Sequence, residues 1–97
     1  MEVKVTKYVV FYKLKKRKGM TGDSVKNHVE HLRDLSNNKV LFLCGLLKGN
    51  GAMLIIEAKS LKEAESYIKQ DPLIIQENYG YEIYEFKEAN EKNNFLL

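Results

Sequence analysis

The chain has 97 residues, 44% hydrophobic and 30% charged, with a net charge of +3. That length makes one domain of modest size, and so mild a charge does not imply a nucleic-acid partner. The single cysteine, Cys44, excludes an internal disulfide, and no apolar run nears the roughly 20 residues of a bilayer-spanning helix. The start, Met1-Glu2-Val3-Lys4, has no signal-peptide apolar segment, so the expected location is the cytoplasm, away from membranes.

Val5 to Tyr12 is rich in β-branched and aromatic residues and predicts strand one. A basic loop follows, Lys13 to Gly22, which reads as mobile and solvated. Thr21 or Asp23 then caps a helix that runs to about Ser36. Val25, Val29, Leu32 and Leu35 recur at helical spacing and predict its buried stripe. Lys39 to Gly45 predicts strand two, Leu46 to Gly51 a short glycine-rich loop, and Ala52 to Ala58 strand three, together an antiparallel hairpin. Ser60 and Glu63 form a capping box for a second helix, which turns Leu61, Ala64 and Ile68 to one face. That helix stops at Asp71-Pro72, because proline disfavours helix in the residue before it. Residues 73–79 read as an irregular turn, Tyr81 to Phe86 as strand four, and the rest as a polar tail.

The order β-α-β-β-α-β predicts an α+β, ferredoxin-like fold: a four-stranded antiparallel sheet with two helices on one face. Residues 1–97 are expected to form a single domain, with a core over about 5–86 and a tail over 87–97. The strands are apolar on both parities: Val5, Val9 and Phe11 against Tyr8, Val10 and Tyr12 in the first, Met53 and Ile55 against Leu54 and Ile56 in the third. Two helices cover one face only. A large bare apolar face is unusual on a soluble monomer, which predicts a homodimer packed through the sheets.

His28 lies on or beside the apolar stripe of the first helix, where partial desolvation favours a neutral imidazole able to accept a proton. The plainer alternative is a core histidine bonded to a neighbour. His31 sits nearer the polar edge and reads as a surface histidine. No third ligand at matching spacing accompanies the pair, so no metal is expected. Asp71, in the last turn of the second helix, opposes the helix dipole. It reads either as Asp-Pro turn chemistry or as a carboxylate that orients a histidine. Cys44 has no local cation to activate it and reads as a small buried hydrophobe. The run Lys13 to Lys18 lacks the interleaved aromatic residues of single-strand binders. It reads as a solvated loop or as a border that attracts an anionic substrate. Gly45 to Gly51 leads into a strand and lacks a nucleotide fingerprint, and no cofactor is expected.

The chain resembles the YciI-like (YCII-related) domain family across roughly residues 7–86. The resemblance rests on the first strand KYVVFYK, on His28 to Leu32 with Gly45 seventeen residues after His28, and on Met53 to Glu57. It extends to Ser60 to Ala64, Asp71-Pro72 and Tyr81 to Ile83. It implies a dimeric α+β barrel with a pocket near His28 and Asp71, the two forming a catalytic pair. The implied function is cofactor-independent proton transfer, elimination or isomerisation on a small molecule. A non-catalytic small-molecule-binding or regulatory homodimer is the alternative. The chain has Gly45-Leu46 where the family usually has Gly-Pro, and its Gly49 to Gly51 loop is very short, so the pocket rim differs.

Overall fold

The computed structural model describes residues 4–49 and 51–97. Its elements run β1 (Thr6–Leu14), α1 (Gly22–Asn37), β2 (Leu41–Leu47), β3 (Gly51–Ala58), α2 (Leu61–Lys69), α3 (Pro72–Ile75) and β4 (Tyr79–Phe86), then a 3-10 turn over Glu91–Leu96. The four strands form one sheet in the order β2-β3-β1-β4, each neighbour antiparallel. This is the ferredoxin-like α+β fold expected from the element order.

Thr21 caps α1 by accepting from the Ser24 N–H, and Ser60 caps α2 by accepting from the Glu63 N–H. Gly51 opens β3 with φ at +91°, and a Cβ there would collide with the Tyr12 carbonyl oxygen. Only glycine suits this close approach of β3 to β1. The tip of the β2–β3 loop, residue 50, lies outside the described residues.

The core lies between the helices and one sheet face. Tyr8, Val10 and Tyr12 of β1 meet Leu54, Ile56 and Ala58 of β3, with Leu35, Ala64 and Ile68 packed above them. On the other face Val9, Phe11, Met53 and Ile55 line the central strands, while Phe42 (53% exposed) and Tyr84 (53%) stand open to solvent. The described chain therefore covers one apolar face and leaves the second without a covering layer.

Three elements depart from the sequence-based expectation. Val25 and Val29 are 43% and 44% exposed, so the inward stripe of α1 is not theirs. The buried side is Ser24, His28, Leu32 and Leu35, because polar partners at the two ends of α3, Gln76 and Asp71, draw Ser24 and His28 inward. Leu61 likewise is 47% exposed, leaving Ala64 and Ile68 as the buried residues of α2. Residues 73–79 are not irregular: they contain most of α3, and β4 starts two residues early, at Tyr79.

The basic loop is solvated but not loose. Lys15 and Lys16 donate their N–H groups to the Asn78 carbonyl at 2.8 and 3.2 Å. The Asn78 side-chain amide donates in turn to the Lys16 and Lys18 carbonyls, both at 3.1 Å.

Candidate functional site

His28 and Asp71 meet across the α1–α3 contact. The His28 Nδ1–H donates to Asp71 Oδ2 at 2.6 Å. Tyr12 reaches the same oxygen from β1, its hydroxyl donating at 2.8 Å. The Leu73 N–H donates to the other oxygen, Oδ1, at 2.9 Å. Asp71 is wholly enclosed, and His28 keeps 19% of its side chain exposed. A buried carboxylate that accepts three hydrogen bonds has its charge compensated by oriented donors rather than by water.

Position in the chain explains why Asp71 can do this. It is not in the last turn of α2, which ends at Lys69 with Gln70 as its cap. Asp71 is the N-cap of α3, with Pro72 at the first helical position. The proline holds Asp71 extended, at φ −67° and ψ 126°, and turns its carboxylate back toward the Leu73 N–H. The argument from an opposed helix dipole therefore does not apply. Asp71 both caps a helix and holds a histidine, so the two readings of this residue coexist in one geometry.

Burial by itself raises the Asp71 carboxyl. The hydrogen bond and charge of His28, joined by the bonds from Tyr12 and Leu73, outweigh it and hold the carboxyl below the usual carboxylate range. Tyr12 moves the other way. Burial, then the neighbouring Asp71 charge, push its phenol far above the ordinary tyrosine value, so it remains a neutral donor.

With Nδ1–H committed to Asp71, no hydrogen bond among the described residues engages His28 Nε2. His28 and Tyr12, with ring centroids 6.0 Å apart, line a cavity of about 150 Å3 with Leu32, Leu46, Leu54 and Cys44. Larger clefts of about 420 and 340 Å3 lie toward the β2–β3 loop, but neither has a histidine or a carboxylate in its described wall. Of these three, the small cavity is the one lined by a histidine.

Two further residues correct the expectation. Cys44 is exposed, not buried. A register shift between Leu41 and Leu43 inserts Phe42 as an extra residue in β2, so that Leu41 pairs with Ile56 and Cys44 with Leu54 on the same face. Strict alternation separates Leu41 from Cys44; the bulge brings both to the helix side, where edge strand β2 is only partly covered. His31 is not a free surface histidine, since its Nε2–H donates to the Tyr67 carbonyl at 2.8 Å and ties α1 to α2. Among the described residues no group of three His, Cys, Asp or Glu side chains stands close enough to hold a metal ion. No described helix is long and apolar enough to cross a membrane.

No family model matches the sequence, and no curated protein matches it. Solved structures do. The 5-chloro-2-hydroxyhydroquinone dehydrochlorinase of Burkholderia phenoliruptrix AC1100, in complex with 2,5-dihydroxybenzoquinone, aligns with a TM-score of 0.63 at 18% identity, covering 91% of this chain and 99% of that one. The hydroxynitrile lyase of Passiflora edulis aligns with a TM-score of 0.47 at 11% identity, covering 92% and 99%. At these identities the first likeness shows the fold alone, and the second is too loose to add to it.

Proposed function

We propose that the chain is a YciI-like enzyme that moves a proton on a small molecule, with His28 as the acid–base group and Asp71 as its positioning carboxylate. The observation that carries this is the 2.6 Å bond from His28 Nδ1 to a wholly buried Asp71, beside the cavity that His28 lines. In this reading Asp71 holds the Nδ1–H tautomer and offsets the positive charge when Nε2 takes up a proton. Tyr12 keeps the carboxylate oriented. The proton on Nε2 returns to another position of the substrate, or it stays while a leaving group departs, giving isomerisation or elimination.

The bare sheet face fits a functional unit of two copies packed sheet to sheet, with Phe42, Leu43 and Tyr84 covered in the dimer. A solution mass of two chains at micromolar concentration is expected, and a monomer contradicts this part of the reading.

Asp71 also caps α3, an arrangement that serves a non-catalytic binding dimer equally well. Turnover on a panel of halogenated hydroquinones, quinones, lactones and dienoates separates the two. The enzyme reading expects turnover that falls by about 10²–10⁴ in His28→Gln while ligand affinity stays within a few-fold. Ligand binding without turnover across the panel favours the binding dimer.

A further inference from the structure

The cavity beside His28 has a charged neighbour. A cleft of about 340 Å3 lies against it, and Leu46 forms part of both walls. Tyr79, in the cleft, packs against Tyr12 of the cavity with ring centroids 6.2 Å apart. The acidic and basic side chains in the described wall of the cleft are two cations, Arg17 and Lys48, without a carboxylate. Neither forms an ion pair among the described residues, whereas Lys7, Lys13, Arg33 and Lys69 each do.

The backbone around Arg17 has a buried support. Asn78, wholly buried, donates its side-chain amide to the Lys16 and Lys18 carbonyls, the two that flank Arg17. The Met20 N–H closes the turn onto the Arg17 carbonyl at 3.0 Å. Between Lys15 and Lys18 the loop carries four cations, and these contacts fix its backbone against their mutual repulsion. Clustering unpaired cations on a fixed backbone lowers the ordering cost of an anion site. The adjoining cavity sets the other half of the ligand. An apolar space of about 150 Å3 takes one benzene-sized ring.

We propose that the cleft is the anion subsite of the His28 cavity, and that the ligand is a single-ring aromatic carboxylate. Its ring occupies the cavity beside His28, and its carboxylate is gripped by Arg17 and Lys48. Arg17 suits the planar, two-oxygen acceptor, and Lys48 adds a point charge. This deepens the acid–base reading, on which it relies only for which part of the ligand reacts.

Benzoate and benzyl alcohol test it, since they share a ring and differ in charge. Both are titrated into the full chain at low salt, with affinity and amide shifts followed by NMR. The expected result is benzoate binding about tenfold or more tighter, with shifts at Leu46 and Tyr79. The preference shrinks in about 0.5 M NaCl. The double variant Arg17→Gln with Lys48→Gln binds the two ligands within about twofold of each other and keeps its affinity for benzyl alcohol. Both residues are exposed, and an unchanged thermal midpoint shows that the variant is folded. Equal affinities in the unaltered chain, binding of neither ligand, or a preference that survives the double variant overturns the subsite. His28→Gln separates the two proposals. If turnover survives His28→Gln while the benzoate preference stands, the acid–base reading fails and the subsite holds. If the preference is absent while turnover needs His28, the subsite fails alone.

Discussion

Asp71 and Asn78 are both wholly enclosed polar side chains, seven positions apart, and they are used in opposite ways. Asp71 gathers its donors from three elements, the Tyr12 and His28 side chains and the Leu73 N–H, and both its oxygens are satisfied. Asn78 bonds backbone carbonyls of one loop and leaves its Oδ1 without a partner among the described residues. One node orients a titratable group at a cavity. The other sets the path of a basic loop. The contrast shows how a small domain divides its buried polar groups: a charged one where side chains from separate elements meet, a neutral one where a loop path is set.

The largest effect is expected at the charged node. Asp71→Ala removes the acceptor of three donors and is predicted to destabilise by on the order of 3 kcal/mol, read from urea unfolding. A loss below that of Asn78→Ala breaks the contrast. The Asp71 carboxyl also gives the node a pH signature. Its folded-state value is depressed, so its stabilisation is full above the unfolded-chain value of about 3.9 and is lost as pH falls through the lower folded value. Asp71→Asn cannot titrate. Its unfolding midpoint should therefore decline less than that of the unaltered chain between about pH 5 and pH 2.

Asn78→Ala comes next, at about 1–2 kcal/mol, since the freed Lys16 and Lys18 carbonyls lie in an exposed loop that water reaches. Faster amide hydrogen exchange at Lys15 and Lys16 should accompany it. Unchanged exchange there would show that the loop path does not depend on Asn78. Tyr12→Phe is the smallest, about 1 kcal/mol, because Asp71 keeps its bonds from His28 and Leu73.

The fold was legible because its signals are local: Thr21 and Ser60 as caps, Asp71-Pro72 as a break after the second helix, and β-branched runs between them. His28 and Asp71 were each visible as chemically suitable residues, and the structure joins them over 43 positions of sequence. Tyr12 carried a weak signal, since a tyrosine on the buried parity of β1 needs a partner for its hydroxyl. That partner lies 59 positions away, beyond any local pattern. Asn78 gave no signal at all. The misreadings share one cause, a local rule overridden by contacts from elsewhere. Helical spacing points Val25 and Val29 inward, but the polar caps of α3 turn Ser24 and His28 inward instead. Period-two alternation sets Leu41 and Cys44 on opposite faces of β2, but the bulge at Phe42 shifts its phase and brings Cys44 to the cavity.

The bond to Asp71 requires a proton on His28 Nδ1 and leaves Nε2 bare beside the cavity. Long-range 1H–15N NMR of the imidazole rings, at a pH above their titration, tests it directly. His31 supplies an internal contrast, because its Nε2–H donates to Tyr67 and requires the opposite tautomer. The expected forms are Nδ1–H for His28 and Nε2–H for His31, with a shift of the His28 Nε2 resonance when benzyl alcohol is added. An Nε2–H form for His28, or an Nε2 signal indifferent to a ligand that binds, would contradict this arrangement.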